Sequence, residues 1–221
     1  MKLSIEVGLL SIVIGFPFAL FFGWVLARKN FKGKSLINLV LFMPLSLPPV
    51  VTGLILLELF GRESYLGKYM VKIGLPLSFS QSSAILAALV VGFPFYVMMI
   101  RSAFESVDVR YEEMAQTVGL TPLKIFLRVS LPLAFPGIIA GSVIAFARGM
   151  GEFGATSILA GNIEGETRTI SLAVYSLLEN PKGGNQAKIL VIISLIISFI
   201  SLALYEWLLK WHKKRLEISN G

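Results

Sequence analysis

Five long apolar runs, separated by short polar stretches, set the plan of the chain: residues 7–27, 37–60, 82–100, 136–159 and 189–209. The first and third carry no charge. The second has Glu58 near its end, the fourth contains Arg148 and Glu152, and the fifth has Glu206 near its end. A helix of about 20 apolar residues crosses the hydrocarbon core of a bilayer, so each run predicts a transmembrane helix. The expected fold is all-α and polytopic, a single unit over 1–221 with five spans. A sixth apolar run, 170–178, is nine residues long and too short to span. With Thr169 as its cap, it predicts a short interfacial or re-entrant helix inside an outer loop at 161–186.

The longest charged interruption is 106–132, with Asp108, Arg110, Glu112, Glu113, Lys124 and Arg128. Its pattern predicts two short helices. Asp108 is suited to cap the first, since its side chain can satisfy a free backbone N–H. Tyr111, Met114, Ala115 and Val118 then form one apolar stripe at helical spacing. Gly119 stands where a left-handed glycine ends a helix. Thr121 followed by Pro122 reads as an N-cap and first helical residue. Leu123, Phe126 and Leu127 share a face of the second helix, Lys124 and Arg128 lie on another, and Pro132 marks its end.

Composition agrees with a membrane protein. The 221 residues are 55% hydrophobic and 15% charged, against about 25% charged in soluble proteins. The absence of cysteine excludes disulfides and thiolate metal sites, and the only histidine, His212, lies in the basic tail. The net charge of +7 does not indicate nucleic acid, because the basic residues gather at the ends of apolar runs. Arg28, Lys29, Lys32 and Lys34 follow the first run; Arg101, Arg110, Lys124 and Arg128 flank or lie in the central loop; Lys210, Lys213, Lys214 and Arg215 follow the last. These three segments share one side of a five-span chain and hold 12 of the 20 basic residues, against seven on the other side. The positive-inside rule puts that side in the cytoplasm, the N-terminus outside and the C-terminus inside. The first run lacks a small-x-small cleavage site and is read as a retained helix.

Pro17, Pro44, Pro48, Pro49 and Pro94 punctuate the runs, and each removes a backbone donor. Such bends pack against protein or line a cavity. Two nucleotide-like motifs are rejected. Gly149-Met150-Gly151-Glu152-Phe153-Gly154 spells a dinucleotide fingerprint but lies in an apolar run rather than a βαβ unit. Gly61 to Lys68 has five residues rather than four between its glycines and Tyr69 where a phosphate loop needs Ser or Thr. Arg148 and Glu152, four apart, form the intramembrane charge pair. Charges at this depth face a bundle interior or a water-filled cavity. One reading gives Arg148 a place on an anion path; the other makes the pair a staple between helices.

The run Glu113-Met114-Ala115, three residues, Gly119, nine residues, Val129-Ser130-Leu131-Pro132 resembles the "EAA" cytoplasmic loop of ABC importer permeases, with Met114 in place of an alanine and Val129 in place of isoleucine. The runs FARGMGEFGAT and Gly165-Glu166-Thr167-Arg168-Thr169-Ile170, with Pro48-Pro49-Val50-Val51, extend the resemblance to the molybdate permeases of that group. The resemblance implies a type I importer permease of the inner membrane. It implies that Glu112, Glu113, Ala115, Gly119, Leu131 and Pro132 belong to the loop that couples to an ATPase. It further implies a homodimer, two separate ATPase subunits that use the ATP, an extracytoplasmic oxyanion-binding protein, and no cofactor or catalysis in this chain. The cargo it implies is molybdate, with tungstate. A sulfate or other oxyanion permease is the near alternative, and a stand-alone carrier or channel the distant one.

Overall fold

The computed structural model describes residues 1–219, with side chains through Lys210; the expected basic side chains at 213–215 and His212 lie outside the described residues. The first run folds as α1 (Lys2–Arg28), and one face of it is built from small residues. Ser4, Gly8, Ser11, Gly15, Ala19 and Gly23 recur every three or four positions and are buried. Such a face lets another helix approach closely. α5 (Gln81–Glu105) lies against it, with Ile100 beside Gly23. α8 (Leu131–Met150) completes a three-helix core, where Phe146 covers Gly8 and the Tyr96 and Ser142 hydroxyls meet at 2.8 Å. Leu26, Val97, Ile100, Phe104 and Ile138 fill its centre.

α1 and α5 run parallel, since Val7 packs with Ala84 and Ala88 near their starts, and Leu26 with Ile100 and Phe104 near their ends. The chain between them therefore crosses back. It does so as two helices, α2 (Lys34–Ser46) and α3 (Pro49–Phe60), bent by 114°. This corrects the expectation of one helix over 37–60. Leu47 is extended at φ −89° and ψ 142° because a residue before proline is disfavoured in helix, and Pro48 and Pro49 lack the N–H that would continue the ladder. Pro17, Pro44 and Pro94 stay inside their helices. α1, α5, the 29 residues Pro122–Met150 and the 27 residues Gly184–Lys210 are each long and apolar enough to span, and the bent pair, counted as one span, brings the number to five.

The fourth span differs from its expected limits of 136–159. α7 (Pro122–Ile125) runs through a π-helical turn, Phe126–Ser130, straight into α8, which stops at Met150. Pro132 thus continues a helix instead of ending one, because the wider π turn just before it already replaces the ordinary bonding pattern that its missing N–H would break. The remainder is a separate short helix, α9 (Gly154–Leu159), packed on α3. A Cβ on Gly53 would stand 2.8 Å from Ala155 Cα, and one on Gly154 would stand 2.8 Å from Pro49 Cβ. The two helix breaks therefore meet each other.

α4 (Tyr65–Lys72) is capped by Ser64, whose hydroxyl accepts from the Gly67 N–H. α10 (Ile170–Glu179) matches the short helix expected over 170–178. Thr169 occupies its N-cap, but its hydroxyl makes no cap bond; the Ser4 hydroxyl accepts from Ile170 N–H instead. α11 (Gly184–Ser219) packs on α8 and turns Leu195, Phe199 and Leu202 outward.

Candidate functional site

The polar stretch forms α6 (Arg110–Thr117) and α7, joined at Gly119. Val109 is the N-cap, so Asp108 stands one residue earlier than expected. Its carboxylate accepts from the Arg110 N–H, two residues on, and leaves Val109 to begin the turn. The end of α6 follows the expected chemistry. Gly119 has φ +79°, its N–H donates to the Gln116 carbonyl, and Leu120 N–H donates to the Ala115 carbonyl. Those two bonds close a Schellman motif, which needs a left-handed residue at Gly119. Thr121 and Pro122 open α7 as N-cap and first residue, with no side-chain cap bond from Thr121.

The apolar stripe of this segment is split between two surfaces. Ala115 and Ile125 are buried and Phe126 is half-buried, with its ring 5.2 Å from Trp24 and 6.1 Å from Phe104. Met114, Val118, Leu123 and Leu127 face outward, at 66%, 75%, 68% and 51% exposure. Glu113, Lys124 and Arg128 are exposed beside them. Exposed apolar groups rimmed by charge are the composition of a docking surface. Leu131 is half-buried and Pro132 exposed at the start of α8.

Glu112 faces the other way. Its Oε1 accepts from Arg28 Nε and from the Ser130 hydroxyl, each at 2.8 Å. Arg28 Nη2 also donates to the Val107 carbonyl at 2.8 Å. The Arg28 and Glu112 side chains are only 8% and 15% exposed. One arginine thus ties the end of α1 to the α5–α6 link, to α6 and to the π turn. Arg28 and Ser130 had no assigned role in the sequence beyond charge counting and motif spacing. The available signal was Arg28 as the first basic residue after the uncharged run 7–27.

The membrane pair is formed, but not along one helix. Arg148 closes α8, and Glu152 lies in the break before α9. Arg148 Nη1 donates to Glu152 Oε2 at 3.0 Å, while Glu152 Oε1 accepts from Ala155 N–H at 2.8 Å. The guanidinium also lies 5.8 Å from the centre of the Phe95 ring. Glu152 is 2% exposed and Arg148 31%. Glu152 therefore joins the two helices across the break, and Arg148 keeps an open edge.

At the opposite end, 161–169 folds back on itself. The Thr167 hydroxyl accepts from Ile163 N–H and donates to the Gly161 carbonyl; Arg168 donates to Asn162 and Glu164. Among the described residues no cluster of three His, Cys, Asp or Glu is placed to hold a metal ion.

Residues 15–218 match the family described as the binding-protein-dependent transport system inner membrane component. The molybdenum transport system permease protein ModB of Haemophilus influenzae is 46% identical over 220 residues, covering 99% of this chain and 96% of the relative. That of Escherichia coli K12 is 45% identical, covering 96% and 93%. The sulfate transport system permease protein CysT of Salmonella typhimurium is 30% identical, covering 90% and 73%. Among solved structures, the inward-facing MetNI methionine ABC transporter gives a TM-score of 0.70 at 20% identity, over 94% of this chain and 93% of that one.

Proposed function

The chain belongs to the family of binding-protein-dependent transport system inner membrane components, and from that premise we propose that it is the permease subunit of an ATP-driven molybdate importer. The observation that carries the cargo is the 46% and 45% identity to molybdenum permeases over nearly the whole chain, against 30% to a sulfate permease. Tungstate, an oxyanion of the same shape and charge, is the second expected cargo. The problem to be solved is electrostatic. Burying one bare charge in hydrocarbon costs tens of kcal/mol, so a doubly charged anion needs a protein cavity that opens to each side in turn.

Two copies of the chain form that cavity in this reading. The exposed patch of Glu113, Met114, Val118, Leu123 and Leu127 receives one of two cytoplasmic ATPase subunits, which hydrolyse the ATP; the permease itself is not catalytic and carries no cofactor. Gly119 sets the angle between the two docking helices. An extracytoplasmic binding protein delivers the anion at the end that holds 161–169. The protein lies in the inner membrane, with its N-terminus outside and its C-terminus in the cytoplasm. Arg148 offers its open edge to the anion path, held in place by Glu152.

The test is ATP hydrolysis by the reconstituted complex with binding protein loaded with molybdate or with sulfate. Stimulation by the molybdate-loaded form is expected. Stimulation by the sulfate-loaded form alone would overturn the cargo and leave the permease role standing.

A further inference from the structure

We propose that Arg28 is the positioning residue that makes the coupling segment and the first span move as one body. This rests on the permease reading above. Three observations support it. First, the Arg28 contacts reach three successive parts of the segment: the Val107 carbonyl at its entry, Glu112 in α6, and, through Glu112, the Ser130 hydroxyl in the π turn. Charge-assisted bonds of this kind are short and strong, and a guanidinium holds two acceptors in fixed directions where an ammonium cannot. Second, the contact is shielded from water, which keeps its electrostatic strength. Third, an aromatic contact lies nearby on the same two elements: Trp24, one turn before Arg28, meets Phe126 edge-on.

The mechanical consequence follows from what α1 touches. Its small-residue face seats α5 and α8 closely, so α1 cannot shift without them. α2, by contrast, has no buried residue, and α3 rests mainly on α9. A push on α6 and α7 would therefore turn α1, α5 and α8 together. The π turn sits where that push enters α8, and such turns recur at functional sites. Glu112 differs in role from the neighbouring Glu113, which is exposed: Glu113 faces the ATPase, and Glu112 faces the permease's own first span.

The experiment compares Arg28→Gln and Arg28→Lys in the reconstituted complex, measuring molybdate transported per ATP hydrolysed. Arg28→Gln is expected to assemble and hydrolyse ATP, with the ratio falling about tenfold, the scale of one coupling network. Arg28→Lys, which keeps the charge but not the two-acceptor fork, is expected to fall less. An unchanged ratio in Arg28→Gln would overturn the proposal. A second measurement needs no change to the clamp. The chain has no cysteine, so spin labels at Lys29→Cys and Gln116→Cys are the only ones on the permease, and complexes in which one of the two copies is labelled report the distance within that copy. That distance is expected to stay constant between the nucleotide-free and ATP-bound complex, and a change would overturn the proposal even if Arg28→Gln fails to assemble. If the wild-type complex shows no binding-protein-stimulated hydrolysis at all, the permease reading fails rather than the clamp.

Discussion

Replacing Gly119 isolates backbone conformation as a determinant of coupling. The residue has φ +79°, and nothing lies within 4 Å of where a Cβ would stand. A side chain there meets no neighbour, so the cost of substitution is conformational alone. An L-residue in the left-handed region costs roughly 1–2 kcal/mol, less for asparagine and more for a β-branched residue. That penalty corresponds to a factor of about 5–30 in the population of the bent loop. The predicted order of coupling is glycine, then asparagine, then alanine, then valine. The assay is hydrolysis by the assembled complex, titrating the ATPase subunit against permease variants that insert normally. Valine should need about ten times more ATPase subunit for half-maximal stimulation, the equivalent of 1.4 kcal/mol. Equal coupling in the valine and asparagine variants would refute the reasoning, since the two differ chiefly in tolerance for this φ.

The close packing of α3 on α9 makes the contrasting prediction. Gly53→Val places atoms against the backbone of Ala155, and overpacking should destabilise the purified permease by about 1–3 kcal/mol in thermal unfolding. Gly92→Ala, where the nearest atom is 3.9 Å away, is the control expected to be mild. Glu152→Gln removes the charge beside Arg148 but keeps an acceptor for Ala155 N–H, and should cost about 2 kcal/mol. Glu152→Leu loses both bonds and should unfold at a lower temperature still; equal stability of the two variants would refute the bridging role.

Much of this architecture was legible because lipid imposes a simple rule on sequence. An uncharged run of sufficient length becomes a helix, and 7–27 and 82–100 lie within α1 and α5. The left-handed Gly119 was legible too, as glycine there follows an apolar stripe and precedes Thr121-Pro122. The breaks were harder. Six prolines lie in the apolar runs, yet only the consecutive pair Pro48 and Pro49 breaks one; Pro17, Pro44, Pro94 and Pro136 stay helical. The stop after Met150 carries no proline at all. There Gly151 takes the C-cap of α8 and Glu152 accepts from Ala155 N–H at the start of α9 while holding Arg148, a local side-chain arrangement that periodicity does not show. The Arg28 clamp was hidden for another reason: its partners lie 79 and 84 positions away in sequence. The stripe on 111–118 was read as one face, but the structure divides it, burying Ala115 and leaving Met114 and Val118 outside.

The most direct test of the molybdate importer reading is accumulation of labelled molybdate in proteoliposomes containing the permease, its ATPase subunits and the binding protein. Accumulation above the external concentration is predicted only when ATP is present on the ATPase side and the binding protein on the other. Molybdate entry at the same rate without ATP or partner subunits would contradict an importer and identify the chain as a self-sufficient carrier or channel.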